Sequence, residues 1–370
     1  MIKSLSLHNF RNINPVTLDF CPEINIFYGN NAQGKTNTLE AIWMFSCVKS
    51  FRIARDKDLV AFDSERAEID LNFFSEERDQ RARLCFFKNE KRQIFLNDVK
   101  LPSPARLLGN VKSVIFSPEH LSLVKEGPDQ RRRFIDMGLS QIKPSYFTAF
   151  SSFRRILDQR NALLKEAARN PVLADTFAVW NEKFAAVSSE VIYMRLKYVK
   201  VIAAIARDIY SDICKGKEEL NVQYKSDLIL PDVDVIEEKE AKLVIYESVI
   251  NALYELRRKE SVMLSTAAGP HRDDLDFTIN AHSAKIFGSQ GQQRSTVLAL
   301  KLAEAKSITD LTGDRPAILL DDVLSELDHM RQEYILEQTK GQQTFITTCE
   351  KAKLNAGIAF LVENGSIRSI

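Results

Sequence analysis

Between an apolar run, Ile24 to Tyr28, and a stretch of helical spacing, Thr36 to Cys47, the chain reads Gly29-Asn30-Asn31-Ala32-Gln33-Gly34-Lys35-Thr36. Every fixed position of G-x-x-x-x-G-K-[ST] is filled, and the flanks are the strand and helix that the motif needs. The glycines let the backbone wrap closely around phosphate, so that its N–H groups point inward. Lys35 is predicted to neutralise β- and γ-phosphate oxygens, and the Thr36 hydroxyl to bind Mg²⁺. The N-terminus of the following helix adds its partial positive charge to the anion site. Strand, loop and helix together predict an α/β domain that binds ATP and Mg²⁺.

A phosphate loop needs a carboxylate at the metal, usually from the end of a buried strand. Ala317-Ile318-Leu319-Leu320-Asp321-Asp322 supplies four apolar residues and then two acids. Asp321 is expected to reach Mg²⁺ through water. Asp322 is placed to orient or deprotonate the attacking water, which makes Asp322 and Lys35 the expected catalytic residues.

Ser289-Gln290-Gly291-Gln292-Gln293-Arg294 precedes a run of good helix formers, Val297 to Ala303. This segment resembles the signature motif of ABC-type ATPases, S-x-G-Q. The resemblance implies that Ser289, Gln290, Gly291 and Gln292 act in trans, on the γ-phosphate held by a second copy, so that ATP holds a homodimer together. Ser325-Glu326-Leu327-Asp328, just past Asp322, looks like the D-loop of the same interface. Arg11 and Asn12, after the first strand, are expected to touch the nucleotide, as similar residues do in related ATPases. Two positions depart from the class. Asp322 stands where Glu is usual, which implies slow turnover, and the switch position Thr347-Thr348-Cys349 offers hydroxyls where other members place a histidine.

The hydropathy pattern divides the chain into three parts. Residues 1–137 read as mixed sheet and helix, with an antiparallel meander from Glu68 to Leu96 and turns at Ser75-Glu76-Glu77 and Lys88-Asn89-Glu90. Residues 138–265 read as an α-helical lobe. There Phe147, Phe150, Phe153, Leu157 and Leu164 keep helical spacing, and a heptad seam runs from Trp180 to Ile205. A polar, acidic connection from Lys215 to Glu238 leads to a third helical stretch, about Glu240 to Glu260. Residues 266–370 return to the mixed pattern, with the signature motif, the Asp321-Asp322 strand and the D-loop. The fold expected is an α/β ATPase head, its mixed sheet including an antiparallel meander, split by an α-helical second lobe.

Fifty-one Lys and Arg face fifty Asp and Glu, for a net charge of +1, so the whole-chain balance announces no nucleic-acid partner. Phosphate contact must come from local concentrations. Arg131, Arg132 and Arg133 are the DNA-binding candidates, with a second, diluted cluster from Arg78 to Arg92, and the binding expected is independent of sequence. No apolar run approaches the roughly 20 residues of a membrane span. Met1 to Leu5 lack a signal core, and five scattered cysteines read as reduced thiols, so the expected location is the cytoplasm. His271-Arg272-Asp273-Asp274 reads as a buried hydrogen-bond and ion-pair network shaping the lobe junction, with no further His or Cys near in sequence to complete a metal site.

Ile2 to Asn12, Gly29 to Thr36, Phe116 to Glu119, Gly127-Pro128 with Arg131 to Asp136, Gly269 to Asp274, Ser289 to Ser295 and Leu319 to Asp328 together resemble the RecF family of DNA replication and repair proteins. These are ABC-type ATPases related to SMC heads. The resemblance implies an ATP-driven homodimer that binds duplex and gapped DNA and works with RecR, and through it RecO and RecA. It implies a weak, DNA-dependent ATPase. A chromosome-maintenance head with long arms needs a longer helical seam, and a monomeric kinase on the same loop has no use for the Ser289 motif.

Overall fold

The structure, a computed structural model, describes residues 1–52, 55–349 and 357–370. The chain opens with β1 (Ile2–His8), β2 (Val16–Asp19), β3 (Ile24–Tyr28) and α1 (Lys35–Cys47), then β4 (Arg66–Ser75), β5 (Arg78–Phe87), β6 (Gln93–Leu96), β7 (Val99–Lys100) and β8 (Ser113–Phe116). Next come α2 (Ser122–Lys125), α3 (Pro128–Ile142), α4 (Pro144–Ala167), α5 (Phe177–Cys214), β9 (Leu220–Lys225), α6 (Glu238–Glu255), α7 (Arg257–Met263), β10 (Asp274–Ile279) and β11 (His282–Ser283). It closes with α8 (Gln290–Thr312), β12 (Ala317–Asp321), α9 (His329–Gln338), β13 (Thr344–Thr348), β14 (Ile358–Glu363) and β15 (Ser366–Ser369). Two compact units result: Met1–Leu121 with Asp212–Lys215 and Gln290–Ile370, and Ser122–Ser211 with Gly216–Ser289.

The first unit carries two six-stranded sheets, in the orders β2-β1-β4-β5-β6-β7 and β15-β14-β3-β13-β12-β8. The former is antiparallel, and its strands alternate. Ala67, Ile69, Leu71 and Phe73 of β4 and Ala82, Leu84 and Phe86 of β5 are buried, and the residues between them, apart from buried Asp70, are wetter. Glu76 and Glu77, at φ 50° and 59°, close this hairpin as a two-residue left-handed turn, and Asn97-Asp98 and Asn364-Gly365 close two more. The second sheet is parallel except for the β14–β15 pair. All of β12 is buried, as a central parallel strand covered on both faces must be, and Asp321 is its last residue. Leu39, Ala41, Ile42, Trp43, Met44 and Phe45 make α1 apolar nearly all round, and each is at most 1% exposed. The helix touches β8, β12 and β13 of one sheet and β4 of the other, so the element that begins with Lys35 is packed between both.

The second unit is helical but not wholly so. β9 pairs antiparallel with β10, and β10 with β11, in a three-stranded sheet. The expected polar connection from Lys215 to Glu238 therefore contains a strand, whose alternation is only three apolar residues deep. This sheet keeps residues up to Ser289 with the helices, and α3 packs on α4 and β10. The division accordingly falls at 121/122 and 289/290, not at 137/138 and 265/266. Along α5 the buried face runs through Phe184, Ser188, Val191, Arg195, Tyr198, Ile202, Ala206, Ile209 and Ile213, while Val187, Val201 and Ile205 of the apolar seam are half-buried. Buried Ser188 and Arg195 are what hid that face from an apolar count. The third helical stretch is broken at Leu256 into α6 and α7. Among the described residues no helix is long and apolar enough to cross a membrane.

Candidate functional site

The loop after β3 turns on two glycines. Gly29 has φ 152°, and a Cβ there would lie 2.2 Å from the Val362 carbonyl oxygen of neighbouring β14. Gly34, at φ 115°, leads into α1, whose first residue is Lys35. The Lys35 ammonium, 4% exposed, donates to the carbonyls of Gly29 at 2.7 Å and Asn30 at 3.1 Å. Loop and lysine face a cavity of about 220 Å³, lined also by Asn37, Arg52 and Asp322.

The carboxylates arrive from β12. Thr36 Oγ1 donates to Asp321 Oδ1 at 2.7 Å, joining residues 285 apart in sequence. Thr347 Oγ1 donates to the same oxygen at 2.9 Å and accepts from the Asp322 backbone N–H at 2.9 Å. Asp322 itself sits at φ 51°, in the left-handed region, at the cavity wall. Burial pushes the Asp321 carboxyl above its usual range, and the neighbouring Asp322 charge adds to this against the two threonine hydrogen bonds. Thr36 and Asp321 form a pair of hard oxygen donors, the kind Mg²⁺ takes.

Ser289 is exposed and directly precedes the 23-residue α8, with Gln290 its first residue. Ser325 to Asp328 follow Asp322. Ser325 Oγ donates to Asp322 O at 2.7 Å, and Asp328 caps α9 by accepting from the Arg331 backbone N–H, which holds its carboxyl below the usual range.

Compared with known proteins, residues 1–362 match the family model described as the RecF/RecN/SMC N terminal domain. The DNA replication and repair protein RecF of Ruminiclostridium cellulolyticum is 40% identical over 352 residues, covering 95% of this chain and 93% of its own. The chain belongs to the RecF family. RecF of Clostridium acetobutylicum is 38% identical over 371 residues, 99% of each chain. A solved structure of the recombination mediator protein RecF with ATPrS, in the RecFOR pathway, superposes with a TM-score of 0.93 at 33% identity, over 100% of this chain and 98% of that one. An SMC head domain bound to the C-terminal winged-helix domain of ScpA, 15% identical with a TM-score of 0.55, shares the fold.

Within this RecF-family fold, some expected residues are placed otherwise. Arg11, at φ 54°, does not line the cavity. Its guanidinium grips the fully buried Glu40 of α1 through Nε at 3.0 Å and Nη2 at 2.8 Å. Asn12 Oδ1 accepts from Asn37 Nδ2 at 2.6 Å, one shell behind the cavity wall. Thr347 is 2% exposed, with its hydroxyl held between the two acids, and so does not present it to phosphate. Thr348 closes β13 half-buried, and the next residue, exposed Cys349, donates from Sγ to Asn31 Oδ1 at 2.9 Å. Arg52 was missed. Its Nη1 donates to Asn37 Oδ1 at 2.9 Å on the cavity wall, and no motif spacing marks it in the sequence.

The second unit sets two of the DNA candidates, Arg131 and Arg132, against groups of its own. Arg131 is 6% exposed and forks onto Asp274 at 2.6 and 2.8 Å, with further bonds to the carbonyls of Leu123 and Glu126. Arg132 pairs with Asp129 and donates to Asp273 O at 2.6 Å, and Arg133 is half-buried. A guanidinium held this way is not offered to a phosphate backbone. His271 to Asp274 do form a hydrogen-bond network, inside the second unit: Asp273 accepts from Tyr224 Oη and Ser226 Oγ at 2.5 Å each, and His271 Nε2 lies 3.0 Å from Thr266 O.

Proposed function

We propose that this chain is a cytoplasmic ATP-driven DNA-binding switch of recombinational repair and replication-fork maintenance. ATP closes two copies on duplex or gapped DNA, and slow hydrolysis reopens them. With RecR, and through it RecO, the closed form helps to place RecA at single-strand gaps. The observation that carries this reading is the meeting of Lys35 and Thr36 with Asp321-Asp322, from two stretches far apart in the chain, at one cavity formed by the Gly-rich loop. The relatives solved with ATP and ATPrS support the choice of nucleotide.

In this mechanism the amides from Ala32 to Thr36 and the start of α1 hold the triphosphate. Lys35 exchanges its loop carbonyls for phosphate oxygens. Thr36 and Asp321 would hold Mg²⁺, which would supply positive charge against the phosphate oxygens. Asp322, fixed by its own backbone bond to Thr347, orients the attacking water or takes its proton. A side chain one methylene shorter than Glu reaches that water less well, which makes turnover slow. Ser289 and the first N–H groups of α8 complete the partner copy's site, not their own, so each chain binds nucleotide by itself and the bound nucleotide then favours dimer closure.

The test is fluorescence anisotropy of a gapped duplex titrated with protein, with and without ATP and Mg²⁺. Binding should tighten with ATP. Ser289→Arg should still bind ATP yet neither dimerise nor clamp DNA. DNA binding indifferent to both nucleotide and variant would defeat the reading.

A further inference from the structure

Arg331 lies in the first turn of α9, directly after the Ser325–Asp328 loop, and its guanidinium reaches two elements at once. On its own side Nη1 pairs with Asp328. Across from it, on α8, Nε and Nη2 donate to Ser295 Oγ at 2.9 and 2.8 Å, and Nη2 donates to Gly291 O at 3.2 Å. Ser295 is 2% exposed, so little water competes for these bonds. The loop itself is tied down at several points. Ser325 Oγ bonds Asp322 O at 2.7 Å, Gln332 Nε2 donates to the carbonyls of Leu324 and, at 3.0 Å, Leu327, and Asp328 caps α9. The chain of bonds therefore runs from the second acid of the nucleotide site, through the whole loop, to the first turns of the helix that begins beside Ser289.

We propose that Arg331 is the positioning residue that locks the D-loop and the signature helix of one chain into a single rigid element. A dimer would then present both to the second nucleotide in one fixed geometry. The inference rests on the reading of Ser289 to Gln292 as a motif acting in trans. A guanidinium suits the task because its planar fork serves two acceptors in different directions. A lysine ammonium reaches either Asp328 or Ser295 but not both.

The experiment compares the parent chain with Arg331→Gln, Arg331→Lys, Ser295→Ala and Ser289→Arg. A fluorescent ATP analogue measures nucleotide affinity, and sedimentation velocity with ATP and Mg²⁺ measures dimerisation. Arg331→Gln should weaken the ATP-dependent dimer about tenfold or more while nucleotide affinity stays within about twofold. Arg331→Lys should fail to restore the dimer. Ser295→Ala, which removes the hydroxyl that accepts both Arg331 bonds, should shift dimerisation in the same direction by about threefold. A merely structural arginine would lower nucleotide affinity and dimerisation together, or be rescued by lysine, and either result overturns the proposal. So does parent-like dimerisation of Arg331→Gln and Ser295→Ala while Ser289→Arg blocks it. If Ser289→Arg itself dimerises normally, the trans reading fails first, and the two failures are told apart.

Discussion

A threonine hydroxyl has one proton to donate and two lone pairs to fill, and Thr347 uses both kinds of bond on the two acids of the proposed nucleotide site. It holds the Asp321 carboxylate and keeps Asp322 in a left-handed conformation that a residue other than glycine adopts only when its surroundings fix it. Thr347→Val preserves shape and removes both bonds. It should lower kcat for ATP about 10- to 100-fold, with KM little changed, because the cost falls on the placing of Asp322. Thr347→Ser should restore most of the rate; a steady-state titration of both variants decides it. His271 offers a second test. Burial lowers its pKa from 6.5 to about 4, so the folded chain keeps it neutral. The sign follows from proton counting. Below pH 6.5 the unfolded chain binds a proton that the fold refuses, and stability falls until the folded pKa is reached. Between pH 7 and pH 5 this amounts to about 2 kcal/mol. Denaturant unfolding at the two values should show that loss, and His271→Gln should remove that share of it.

At the scale of elements, the phosphate-loop helix is held from behind. Glu40 is fully buried in α1, takes the Arg11 fork and a Ser50 hydroxyl bond, and lies 4.0 Å from the Arg52 guanidinium. Arg11→Ala leaves that carboxylate without its main partner, so it should cost about 3 kcal/mol by urea unfolding and weaken ATP binding although Arg11 lies outside the cavity. Charge-neutral Glu40→Gln in the same background should recover part of the loss. The legibility of elements followed the depth of their pattern. β4 and β5 alternate over ten residues each, and their hairpin was readable, whereas six-residue β9 was not. Turns at Asn97-Asp98 and Asn280-Ala281 close hairpins without the glycine that marks Asn364-Gly365.

Over the whole molecule, some of the charge that looks available in sequence is consumed inside. Arg131, Arg160 and Arg195 are all nearly buried, each forked onto a carboxylate: Asp274, Glu260 and Asp136. Arg131→Gln should therefore cost about 2 kcal/mol of stability. It should leave the dependence of DNA affinity on salt unchanged; a slope reduced by about one would mean that Arg131 does touch phosphate. A basic triplet such as Arg131 to Arg133 reads the same in sequence whether it faces solvent or an acid 143 residues away.

The phosphate loop, the acid pair after a buried strand, the motif before α8 and the family are all legible in the order of residues alone. Each of these is a local requirement: a glycine where the backbone turns left-handed, an apolar run where a strand is covered twice, a small set of residues at fixed spacing. Tertiary structure alone decided the partners. It brought Thr36 to Asp321 across 285 residues, turned Arg11 away from the cavity onto Glu40, sank Arg131 against Asp274, and set Arg331 between α9 and α8. Such choices depend on which polar group is left buried and unpaired once the core has packed, and that is a property of the assembled fold.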